Sequence, residues 1–156
     1  MSTAALKQAG PMTVAFLSMT GAYGQIPEGF DRLYSYVAAN HYEPAGPPRA
    51  VYLTPLTPDV PEPAWELWAP IAGPAPAGGP DEQGLGVKEV PAQTVAWVMH
   101  MGPYESVGPT YDELVNWISE QGHTIAGPPQ EIYYSDPDEV APEEYLTEIQ
   151  FPVIAA

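Results

Sequence analysis

Glu66 and Glu148 have the clearest claim to chemistry in this sequence. Each lies in a short strand-like segment, WELWAPI (Trp65–Ile71) and TEIQFPV (Thr147–Val153), with Pro70 and Pro152 at matching places. Side chains alternate across a strand, so Trp65, Leu67 and Ile71 share one face while Glu66 and Trp68 share the other. In the second segment Ile149, Phe151 and Val153 fall on one face, Glu148 and Gln150 on the opposite one. Two further segments, TVAFLSMTGAY from Thr13 and TVAWVMHMGPY from Thr94, follow the same logic. Ala15 and Leu17, like Ala96 and Val98, suit a face against which a helix packs; Phe16, Trp97 and Met99 are left on the other. One sheet face is therefore expected to carry Phe16, Trp68, Trp97 and Met99 together with Glu66 and Glu148. A buried carboxylate is costly without a partner. A lipophilic cation supplies one, because it stacks on the rings and pairs with the acid. The plain alternatives are core packing for the rings and a solvated face for the acids.

The elements that must position these residues come twice. Residues 6–55 laid over residues 87–136 give 13 identities in 50 positions without a gap. One extra residue in the second copy then brings Glu66 onto Glu148. The chain thus reads as an internal duplication: a first repeat at about 6–71, a Pro- and Gly-rich linker at 72–86, and a second repeat at about 87–153, all within one domain of residues 1–156. Each copy reads as strand, helix, strand, strand. Tyr111, Leu114, Val115 and Ile118 recur with helical spacing after Pro109, and Gly122 is placed to end that helix. Phe30, Leu33, Tyr34 and Val37 repeat the pattern in the first copy. Strands are expected at Val51–Thr54, Trp65–Ala69, Thr94–Met101, Ile132–Ser135 and Tyr145–Phe151, with turns and loops in the Pro-rich stretch Pro55–Pro63. A module this small cannot bury its sheet alone. The expected fold is α+β: two duplicated modules forming one antiparallel sheet backed by two helices, with pseudo-twofold symmetry.

Composition limits the chemistry further. The 156 residues contain no cysteine, which excludes disulfides, thiolate catalysis and metal–sulfur centres. Four Lys and Arg stand against 20 Asp and Glu, a formal net charge of −16. Lys7, Arg32, Arg49 and Lys88 cannot make a nucleic-acid surface, and anionic membranes are disfavoured for the same reason. Cationic partners fit the field. No apolar run is long enough to span a bilayer and no signal peptide is evident, so a cytoplasmic location is expected. His41, His100 and His123 are scattered, with no metal-ligand spacing; neither metal nor other cofactor is expected.

The segments HMGPYESVGPTYDELVNWISEQG (His100–Gly122) and AGPPQEIYYSDPDEVAPEEYLTEIQFPV (Ala126–Val153) resemble the second half of GyrI-like small-molecule-binding domains. These also serve as effector-binding domains of AraC-type and MerR-type regulators. The resemblance rests on a strand ending near His-x-Gly-Pro-Tyr, a helix, a tyrosine ahead of Asp136-Pro137, and a closing Thr-Glu-Ile before Pro-Val. It implies a ligand groove between the two copies, where stacked aromatics and a carboxylate hold flat lipophilic cations. Glu148 matches the carboxylate, Tyr133 a recurrent pocket tyrosine, and Tyr104 the Gly-Pro-Tyr tyrosine. With no DNA-binding segment in view, the chain reads as a stand-alone version and a non-catalytic binder of such cations. Two alternatives follow from the same resemblance. One is a hydrolase opening cyclopropane rings of DNA-alkylating natural products, with Glu148 as base and Tyr133 or Tyr104 assisting. The other is a gyrase-inhibitor-like role in protein interaction.

Overall fold

The computed structural model describes residues 4–53, 63–73, 75–135 and 139–156. The Asp136-Pro137 pair, Thr54 and all but Pro63 of the proline-rich stretch lie outside them. The fold is mixed α+β, with two helices and antiparallel strand pairing throughout the described ladders. The chain divides into two compact units, residues 10–92 and residues 1–9 with 93–156.

In the unit of residues 10–92 the strands run in the order β3 (Arg49–Tyr52), β4 (Ala64–Ile71), β2 (Met12–Thr20), β5 (Leu85–Val90), and helix α1 (Ile26–Ala39) packs on one face. Pro27 stands in the first turn of α1, where its missing N–H costs nothing. Leu33 and Val37 are buried, as the helical spacing predicts, while Phe30 and Tyr34 are half-buried. Gly29 decides how closely the helix approaches: a Cβ there would stand 2.8 Å from Leu67 Cδ1 and 3.3 Å from Leu17 Cδ2. Trp65, wholly buried, closes the same layer and donates its indole N–H to the Gly21 carbonyl at 3.0 Å.

In the other unit the order is β1 (Ala5–Ala9), β6 (Gln93–Met101), β9 (Leu146–Ile154), β8 (Gln130–Tyr133), with the short β7 (Thr124–Ile125) paired to β9. Helix α2 (Gly108–Glu120) buries Leu114 and Ile118 against Ala96, Val98, Ile149, Phe151 and Val153, the helix-facing set expected from alternation. Val115 instead is 39% exposed. Both helices end in the same way. The His123 N–H reaches the Ile118 carbonyl and Gly122 takes φ 78°; in the first copy the Tyr42 N–H reaches Val37, and His41 takes φ 59°.

The structure differs from the four-element module in one respect that matters for function. Each copy begins with an additional strand, and that strand serves the other unit. β1 precedes the first copy's β2 yet pairs with β6, Leu6 opposite Ala96. β5 precedes the second copy's β6 yet pairs with β2, Gly86 opposite Phe16. The compact units therefore cut across the sequence repeats, and β5 starts inside the stretch read as linker.

Candidate ligand-binding site

Alternation and register assemble a cage on the face of each unit away from its helix. In the unit of residues 10–92, Phe16 of β2 stands opposite Trp68 of β4 on one side and Gly86 of β5 on the other. Gly86 is required there, since a Cβ would come within 2.9 Å of Phe16 Cζ and overlap the Gly78 carbonyl oxygen. Val14, Val51 and Val90 pack against these rings. Glu66, two residues before Trp68, accepts the Trp68 indole N–H at 2.8 Å. Its Oε1 also meets the Lys88 ammonium at 2.5 Å. That ammonium lies 4.7 Å from the Phe16 ring centre and 4.9 Å from that of Trp68, within the range of cation–π attraction.

The second cage, in the other unit, is built at equivalent positions. Trp97 replaces Phe16, Glu148 replaces Glu66, and Gln150 replaces Trp68. Lys7 of β1 places its ammonium 2.7 Å from Glu148 Oε2 and 4.4 Å from the centre of the Trp97 ring. Glu148 is 2% exposed. A carboxylate so deep needs several donors, and it has them: Gln150 Nε2 donates to Oε2, and the Tyr134 hydroxyl donates to Oε1 at 2.9 Å. Met99, directly across the ladder from Glu148, is 37% exposed at the rim.

Lys7, Lys88, Gln150 and Tyr134 were not among the expected site residues. The signal for the lysines was present: they are one of the 13 identities between the copies. What hid it was the missing first strand of each repeat.

Two tyrosines land elsewhere. Tyr133 stands opposite Thr147, one step out of phase with the Ile132–Glu148 pair, so it projects to the helix side. There its hydroxyl and that of Tyr111 donate to Glu131, at 3.0 and 2.6 Å. Tyr104 packs edge-on to Tyr133 and stacks on Tyr145. Tyr133 thus serves Glu131 on the face opposite Glu148, with Tyr104 packed against its ring. His100 is buried on that same side and bonds through Nδ1 to Thr110 Oγ1 at 2.9 Å, a role in holding the turn into α2.

The model of the GyrI-like small-molecule-binding domain matches residues 6–154. The chain belongs to this family. No curated protein is significantly similar to this GyrI-like chain in sequence. Among solved structures it resembles EcmrR, both in a cryo-EM complex with DNA (TM-score 0.83, 21% identity, 99% of this chain) and as the crystallised C-terminal domain (TM-score 0.78, 20% identity, 100% of this chain and 99% of that one). The chain spans 58% of the EcmrR chain in the DNA complex. A second relative in fold is SAV2435 bound to tetraphenylphosphonium (TM-score 0.60, 17% identity, 97% of this chain and 93% of that one). A third is a hydrolase from Listeria innocua (TM-score 0.63, 16% identity, 96% of this chain and 91% of that one). At these identities the likeness is one of fold. No helix among the described residues is long and apolar enough to cross a membrane.

Proposed function

We propose that this GyrI-like domain binds lipophilic aromatic cations, with Glu148, Trp97 and Met99 forming one contact surface and Glu66, Trp68 and Phe16 the other. The observation that carries this reading is the state of the cages themselves. Each already holds a positive nitrogen on an aromatic ring against a buried or nearly buried carboxylate. That is the interaction a cationic ligand would use. The tetraphenylphosphonium held by SAV2435, a relative in fold, belongs to the same ligand class.

The test compares tetraphenylphosphonium with neutral triphenylphosphine oxide by calorimetric titration. The cation should bind the more tightly, and equal affinities for the two would remove the reading. Hydrolysis receives less support. A general base must reach water, whereas Glu148 is 2% exposed and already accepts from Lys7, Gln150 and Tyr134.

A further inference from the structure

We propose that Lys7 and Lys88 are tethered occupants of the two cages, and that a ligand cation enters by displacing the resident ammonium. The inference rests on the cation-binding reading above and adds the selection rule that goes with it. Lys7 and Lys88 are the only lysines in the chain, and they stand 81 positions apart, the offset of the repeat. Each reaches the paired glutamate and ring of the other copy's strands. Each is about one-third exposed, at 36% and 35%, while its carboxylate is 2% and 15% exposed. The lysine can therefore swing into water on its flexible stem with its strand still paired, whereas the glutamate stays behind.

Entry of a monocation then exchanges one positive charge for another, and the charge of the cage does not change. What decides the exchange is hydration. The released ammonium is a compact, strongly hydrated charge that recovers its water shell. A lipophilic cation has spread its charge, gives up little hydration, and brings apolar surface to Phe16, Trp68, Trp97 and Met99. A small hydrated amine offers nothing the lysine does not. It must also outcompete a group whose effective concentration, being tethered, is on the order of millimolar or higher. Lys7 and Lys88 are thus specificity-determining residues: they exclude small cations and admit lipophilic ones.

The experiment titrates tetraphenylphosphonium, triphenylphosphine oxide and methylammonium into the wild-type chain and into Lys7→Met and Lys88→Met. Removing the competitor should raise affinity for tetraphenylphosphonium about tenfold or more, because the binding-competent fraction rises toward one. Affinity for the neutral oxide should gain less than that for the cation, because the oxide cannot pair with the carboxylate the lysine leaves, and methylammonium should bind only the variants. In the wild type, carrying isotope-labelled lysine, the two Cε–H signals should be shifted by the ring currents and should move to free-lysine positions as tetraphenylphosphonium saturates. This second measurement stands even where a methionine variant folds poorly. Wild-type binding that is equal or tighter than the variants', or lysine signals unmoved at saturation, overturns the displacement and leaves the cation reading in place. Binding by the variants alone leaves the lysines as occupants of the cages but overturns both their displacement and the cation reading for the wild type. Binding by none overturns both.

Discussion

Glu148 accepts from Lys7, Gln150 and Tyr134, and Glu66 accepts from Lys88 and Trp68. Replacing Glu148 by Gln removes the charge and sets an amide N–H₂ against donors. Cation preference over a neutral ligand of equal size should fall by about 1–3 kcal/mol, the worth of a charge-assisted hydrogen bond; paired titrations on wild type and variant check this. The rings give a second contrast. Trp97 is half-buried over Lys7, whereas Trp65 is wholly buried beneath α1. Trp65→Ala should cost about 3–5 kcal/mol in denaturant unfolding. Trp97→Ala should cost clearly less and weaken tetraphenylphosphonium binding more; a Trp97 variant that fails to fold would reverse that assignment. The faces of Phe16, Trp68, Trp97 and Glu148 were legible because their strands alternate in one phase from end to end. In β8 the phase was not legible. Ile132 shares the Glu148 side, while the acid Glu131 lies under α2, where the Tyr111 and Tyr133 hydroxyls satisfy it. Hydrophobic-in alternation fails wherever a buried carboxylate has found two such donors.

The element scale shows where the repeat helped and where it misled. The helix ends were legible from the sequence of the second copy, where Gly122 adopts the left-handed conformation after α2. The first copy puts His41 at that point with φ 59°, a conformation that costs a residue bearing a Cβ on the order of 1 kcal/mol. His41→Gly should therefore stabilise the chain by about that amount and raise Tm by about 2–4 °C. Gly122→Ala should do the reverse, since its Cβ meets only Ala156 Cβ at 3.6 Å and the strain is all backbone. Thermal unfolding of both variants tests the pair; equal and unchanged midpoints would remove the argument. The first strand of each copy was not legible. ALKQA and LGVKEV are short, carry charge and have no partner in their own copy. Pairing between strands so far apart in sequence leaves no periodic trace, so the start of β5 reads as linker and the strand that supplies one cage's cation goes unread.

For the whole molecule, the 20 acids set a negative field that draws cations toward it, and both lysines are spent on the cages rather than on the outer charge balance. The field suits capture. It suits turnover less, because a base in a ring-opening hydrolase must present an unpaired carboxylate to water. Displacement of Lys7 by a cationic ligand would leave Glu148 paired again, now with the ligand. Incubation with a cyclopropane-bearing alkylator, followed by mass analysis, separates the two activities. Gain of one water at a rate above background, lost in a folded Glu148→Gln variant, would establish catalysis and demote binding. The expected outcome is no rate enhancement, together with reversible binding of several unrelated aromatic cations. Under that outcome, pre-loading with tetraphenylphosphonium should block the other cations and change nothing in the alkylator. A hydrolase that used Glu148 would instead be inhibited by the same pre-loading, since the cation would hold the carboxylate its water needs.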